Sequence, residues 1–221
     1  MLTVHHLNNS RSQRVLWLLE EVGVPYEIVR YQRQKNMLAP PELHVVHPLG
    51  KSPVITDGGN TVAESGAIIE YIVGNYGDGR LIPPPQTPER LRYTYWLHYA
   101  EGSAMPPLLM KLIFSLMPRR ASLLMRPVVN KIAGQALATI VNPQLRQHMA
   151  FWENELSKSE WFAGTEFTAA DIQMSFPLEA AAARGGLENG HPKATAFLER
   201  IHARPAYQRA LEKGGPYSVG K

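Results

Sequence analysis

The chain has 221 residues, 44% hydrophobic and 19% charged, with a formal net charge of +4 and no cysteine. That length suffices for one large domain or two small ones around a substantial core. The missing cysteines exclude disulfides, thiolate metal ligands and a protein cysteine nucleophile, and the modest positive charge suits a small anionic ligand.

Residues 2–7 (LTVHHL) alternate weakly and predict a first strand. Asn8-Asn9-Ser10-Arg11-Ser12 then precede an apolar helical pattern from Val15 to Val22, which Gly23 closes. Any of Asn9, Ser10 or Ser12 is a chemically suitable cap, an interaction of about 0.5–2 kcal/mol. Tyr26 to Val29 reads as a second strand, completing a β-α-β unit with parallel pairing expected across the helix. Residues 31–46 have no decisive periodicity and are expected as a short helix or a loop.

Residues 47–72 (HPLGKSPVITDGGNTVAESGAIIEYI) are the stretch around which the chain is organised. Ser52 to Thr56 is a short strand opened by Pro53, and Asp57-Gly58-Gly59 is a turn signal. Thr61 to Ala63 pairs back as a hairpin, and Glu64-Ser65 stands where the spacing becomes helical. An anion is favoured there, because the first helical N–H groups lack internal partners and the helix dipole is positive at that end. Residues 79–88, rich in glycine and proline, read as a stiff linker.

Beyond the linker the composition becomes helical. Residues 89–99 carry Leu91, Trp96 and Tyr99 on a helical period, and an interruption is expected at 102–107. A helix resumes over 108–116, residues 118–127 are an ambiguous basic and apolar stretch, and 128–152 are helical with Pro143 testing continuity. Thr168 and Asp171 form a capping signature for a buried helix that ends at Gly185-Gly186. His191-Pro192 starts the last clear helix, and the tail from Gly214 is expected to pack loosely. The fold class is therefore α/β plus all-α, with units at 1–78 and 89–221 joined by 79–88. A ligand site is expected at their junction.

The combined pattern resembles the cytosolic glutathione transferases, across essentially the whole chain. The residues that carry the resemblance are NSRSQRVLWLLEEVGVPYE at 9–27, HPLGKSPVI at 47–55, Glu64-Ser65 with the EYI that ends the next helix, and GTEFTAADI at 164–172. The N-terminal motif is most similar to bacterial and fungal members with serine or asparagine in the thiol loop. The resemblance implies a thioredoxin-like first domain that binds glutathione and an all-helical second domain that holds the electrophile.

It implies specific roles as well. Pro53 corresponds to a cis-proline, Ser52 offers its backbone to the cysteinyl part of glutathione, and Glu64 and Ser65 hold the γ-glutamyl end. Lys51 is placed near the glycyl carboxylate. The thiol donor is one of Ser10, Asn9 and Ser12, with Arg11 adding positive potential. Tyr99, Ser103, Met105 and Trp96 are candidates for the electrophile site, although an aromatic at helical spacing is more often packing.

The expected activity is attack of the glutathione thiolate on a small hydrophobic electrophile, glutathione being a co-substrate and no tightly bound cofactor being needed. The alternatives are a glutathione-dependent disulfide or peroxide reductase and a non-enzymatic ligand-binding protein. A homodimer is implied by the family. The basic groups Arg30/Arg33/Lys35 and Arg119/Arg120/Arg126 lack an interleaved aromatic reading face, so no nucleic-acid partner is expected. The loosely spaced His5, His6, His44 and His47 give no expectation of a metal site. The opening residues lack a secretory pattern and no run of 18 apolar residues occurs, so the expectation is a cytoplasmic protein with no membrane partner.

Overall fold

In the computed structural model, which describes residues 1–219, the first third of the chain folds around a four-stranded sheet of order β2-β1-β3-β4. β1 (Leu2–Leu7) runs parallel to β2 (Tyr26–Tyr31), with Leu2 opposite Tyr26 and Leu7 opposite Tyr31. β3 (Val54–Asp57) is antiparallel to β1 and turns back into β4 (Asn60–Ala63). α1 (Ser12–Val22) connects the parallel pair and is buried on nearly every side, including Val15 through Leu19. It stops at Gly23, whose left-handed φ of 77° lets its N–H close on the Leu19 carbonyl at 2.8 Å. Between β2 and β3 the chain is largely irregular, with one short helix, α2 (Leu43–Val46). α3 (Ser65–Tyr76) begins directly after β4.

The helical part begins with α4 (Pro88–Tyr99), capped by Thr87, whose Oγ1 accepts the Arg90 N–H at 3.2 Å. The expected interruption at 102–107 is not a break. The helix continues through a π-helical turn (Ala100–Ala104) into α5 (Met105–Arg120), so Pro106 and Pro107 follow directly on the turn that has already shifted the i→i−4 ladder, with the Met105 N–H bonded to the Ala100 carbonyl. The ambiguous stretch after 118 resolves into the end of α5, a turn, and α6 (Arg126–Ala136). A second π-helical turn (Leu137–Val141) leads into α7 (Asn142–Lys158), where Pro143 is again near the helix start.

α8 (Ala169–Arg184) is the central pillar, with every residue from Ala169 to Ala181 buried. Its entry is the expected capping box: Asp171 accepts the Thr168 N–H at 2.8 Å and also the Phe162 N–H at 2.8 Å. α9 (Pro192–His202) starts at the predicted proline, and one further helix, α10 (Pro205–Gly214), packs along α1. The expectation of a loose tail is corrected by the structure. Tyr217 donates to Glu179 on α8 at 2.7 Å, and the Ser218 N–H reaches Asn9 at 2.8 Å, so the tail lies back against the loop before α1. The two parts are further joined by Arg204, which holds Glu21 through two bonds of 2.6 and 2.9 Å.

Candidate functional site

The sequence-predicted binding residues gather where β1, β3 and the N-termini of α1 and α3 meet. The Ser52-Pro53 peptide bond is cis. The Ser52 hydroxyl donates to the His5 carbonyl at 2.9 Å and receives the Leu7 N–H at 3.3 Å. Its side chain is thus a brace between the bend and β1. Gly50 precedes it at φ 55°, and a Cβ there would run into the His44 ring, so another residue would be strained and would have to displace His44. Lys51 is exposed beside the bend.

Glu64 sits at φ 71°, a conformation that costs about 1–3 kcal/mol for a residue with a side chain. Its carbonyl accepts the Ile68 N–H at 2.9 Å, and it stands immediately before α3. Ser65, the first residue of α3, is buried, and its Oγ receives Arg14 NH2 at 3.0 Å. Because that bond uses an oxygen lone pair, the hydroxyl proton stays available for an anion at the helix start.

Arg14 is wholly buried and spans the two parts of the molecule. It donates to Ser65, to Glu101 at 2.6 Å and to the Gln173 carbonyl at 2.6 Å. Glu101 also receives Arg11 Nε at 2.9 Å. Burial pushes the Glu101 carboxyl up, but the charges of Arg14 and Arg11 outweigh it and hold the group below its ordinary value. Two cations around one anion leave a net positive charge behind the N-termini of α1 and α3.

The loop before α1 contains a buried hydrogen-bond chain. His6 is buried and pushed down to about 4, by burial first and then by the Arg30 charge, against an opposing bond to the Gly214 carbonyl. The Ser12 Oγ lies 2.8 Å from the His6 Nδ1 and 3.3 Å from the Leu7 carbonyl, so two inward acceptors compete for its one proton. With the Ser12 proton on either of these acceptors, Ser10, 2.7 Å from Ser12, is the donor of the bond between the two hydroxyls. The Ser12 N–H in turn points at the Ser10 Oγ at 3.2 Å. Both hydroxyl protons are consumed inward, and Ser12 is 0% exposed. Asn9 differs. It is exposed at φ 50°, its Oδ1 accepts the Ser218 N–H, and its Nδ2 is the donor that remains.

The sequence matches the family models described as Glutathione S-transferase, N-terminal domain, over residues 1–74 and Glutathione S-transferase, C-terminal domain, over residues 105–205. Glutathione S-transferase 3 of Schizosaccharomyces pombe is 35% identical over 96% of this chain and 88% of its own length. The chain belongs to the glutathione S-transferase family. Glutathione S-transferase 1 of Saccharomyces cerevisiae is 34% identical over 96% of this chain and 95% of its own. A solved glutathione S-transferase from Actinobacillus pleuropneumoniae superposes with a TM-score of 0.78 at 30% identity, covering 99% of this chain and 94% of the other. The thioredoxin-like first domain and the all-helical second domain rest on this membership and on the sheet and helices described above.

Within this glutathione S-transferase chain, the four residues expected at the electrophile are not brought together. Trp96 is 1% exposed and packs against Phe162 and Phe151, with ring centroids 4.5 and 5.3 Å away. Tyr99 is also buried, with its hydroxyl bonded to His148 and receiving Trp152 Nε1 at 3.1 Å. Burial raises its pKa, and its polar tip is spent inside the core. Met105 is buried and Ser103 exposed. Both aromatics therefore serve the packing of α4 on α7. Arg14 and Glu101 escaped the sequence reading. The available signals were an arginine set into an apolar helix and a glutamate in the stretch taken for an interruption, which is a π-helical turn of a kind frequent at functional sites.

Proposed function

We propose that this protein is a glutathione transferase in which Asn9 Nδ2 is the donor to the thiolate. Glutathione lies in extended form along the bend before β3, paired with the Ser52 backbone. Its γ-glutamyl carboxylate meets the Ser65 hydroxyl and the first N–H groups of α3, with the Arg14 charge behind them. Glu64 faces the ammonium group, and Lys51 neutralises the glycyl carboxylate. Its sulfur faces Asn9 and the N-terminus of α1, with Arg11 adding positive potential.

The chemistry asks little of the protein beyond orientation and charge. The thiol proton leaves to solvent. The sulfur lone pair then forms a bond to an electrophilic carbon as the leaving group departs with its bonding electrons. A free thiol near 8.5 needs roughly 2.7 kcal/mol of preferential thiolate stabilisation to fall by about two units. A donor amide, a helix N-terminus and a net positive cluster supply it. The observation that carries the donor assignment is the inward chain Ser10–Ser12–His6, which leaves Asn9 as the exposed side-chain donor of the loop.

Disulfide reduction is the weaker reading. A chain without cysteine must draw both thiols of an exchange from glutathione, whereas conjugation needs one. Rates on an aromatic halide and on a mixed disulfide, measured side by side, test this: conjugation is expected to dominate. Faster mixed-disulfide reduction would overturn it. The subtype, a homodimeric state and a cytoplasmic location belong to this proposal through the family. Sedimentation velocity tests the second.

A further inference from the structure

The hairpin of α5 and α6 is unlike the rest of the helical part. From residue 109 to 132 no side chain is buried, although the segment is rich in leucine, isoleucine, valine and methionine. Leu109, Ile113 and Met117 recur along one face of α5, and Val128 and Ile132 along one face of α6, with Met125 just before it. At the turn between them Leu123 is 80% and Leu124 is 91% exposed. So many exposed apolar side chains in one hairpin point to an interaction site.

Its charge is equally one-sided. No aspartate or glutamate occurs between Glu101 and Glu153, while Lys111, Arg119, Arg120, Arg126 and Lys131 all lie in or beside the hairpin. Lys111 bonds Asn142, but among the described residues Arg119, Arg120, Arg126 and Lys131 have no salt bridge or side-chain hydrogen bond. Pro118, Arg119, Arg126 and Asn130 line a hollow of about 240 Å³ at the tip.

We propose that the α5–α6 hairpin docks on an anionic lipid surface. The exposed Leu123 and Leu124 enter the boundary between headgroups and acyl chains, the flanking apolar faces come in behind them, and Arg119 and Arg126 hold a lipid phosphate in the hollow between them. Charge complementarity selects this occupant. A second copy docked hairpin to hairpin about a two-fold axis would set these unpaired cations against themselves. No helix among the described residues is long and apolar enough to cross a membrane, so the attachment is peripheral. This narrows the expectation of no membrane partner to the absence of a spanning helix. The inference does not depend on the thiol chemistry.

Co-sedimentation of the full chain with vesicles tests it. Vesicles of phosphatidylcholine with about one quarter phosphatidylserine are expected to bind the protein at least ~10-fold better than phosphatidylcholine alone, and salt should weaken the binding. The pairs Leu123→Ser with Leu124→Ser, and Arg119→Glu with Arg126→Glu, are each expected to lower that partitioning at least ~10-fold, with conjugation in solution unchanged. Equal binding to neutral vesicles, no binding to either, or full binding by the serine pair overturns the proposal. So does sedimentation velocity in which the serine pair dissociates an oligomer while vesicle binding stays as it was, which would assign the surface to a second copy.

Discussion

The Oγ of Ser12 lies 2.8 Å from Nδ1 of His6, at the inner end of the hydroxyl chain in the loop before α1. Ser12 gives its one proton to that nitrogen or to the Leu7 carbonyl at 3.3 Å, and Ser10, 2.7 Å away, then donates to Ser12. Neither hydroxyl keeps a proton for sulfur. Ser12→Ala removes the group that satisfies a buried imidazole nitrogen, at a cost of about 1–3 kcal/mol in urea unfolding. Ser10→Ala costs less, and its conjugation rate stays within about threefold of wild type, a factor worth roughly 0.7 kcal/mol.

His6 gives the fold a pH dependence of known sign. Its folded pKa, about 4, lies below the ordinary 6.5, so between those values the unfolded chain binds more protons. His6 thus contributes stability that is present above 6.5 and lost as pH falls toward 4. Asp171, pushed up to about 6 by burial against the bonds from Phe162 and Thr168, acts in the opposite sense, its contribution fading as pH rises through 6. Urea unfolding of wild type and His6→Asn across this window separates the two. The variant should lose the fall in stability on acidification that His6 contributes. A stability difference between the two proteins that is independent of pH would contradict it.

Ser65 is predicted to act on binding rather than turnover. Removing a hydroxyl that meets a carboxylate forfeits about 1.5–3 kcal/mol, so Ser65→Ala should raise KM for glutathione roughly ten- to hundredfold with kcat little changed. Steady-state kinetics at varied glutathione checks it. Arg14→Met should have the same signature and in addition lower stability, since it leaves Glu101 half-buried beside Arg11 alone.

The capping box at the head of α8 is structural. Thr168→Ala should cost about 1 kcal/mol, and Asp171→Ala more, because the N–H groups of Phe162 and Thr168 both lose their acceptor. Thermal unfolding should register both. Glutathione affinity of the folded Thr168→Ala protein should equal that of wild type.

The features legible in the sequence were local. Gly23, the Asp57-Gly58-Gly59 turn, Pro53 and the Thr168/Asp171 pair act on their own neighbours, and each marks the element it predicts. The π-helical turn at Ala100–Ala104 was not legible, since two prolines resemble a break when the surrounding packing that keeps the helix continuous is unseen. Arg14 and Glu101 meet across 87 residues, and Ser218 and Asn9 across 209. No spacing rule reaches that far. Trp96 and Tyr99 were visible as a helical stripe, but only the fold shows that the stripe faces α7.

The thiol pKa of glutathione bound to the wild-type protein and to Asn9→Gly tests the account most directly, glycine being chosen because it keeps the left-handed backbone at φ 50°. Ultraviolet titration of the thiolate should place the wild-type value about two units below the free thiol, with Asn9→Gly recovering most of that difference and Ser10→Ala little of it. A wild-type thiol that titrates as it does in water, or an Asn9→Gly complex that keeps the full depression while Ser10→Ala abolishes it, would contradict the account.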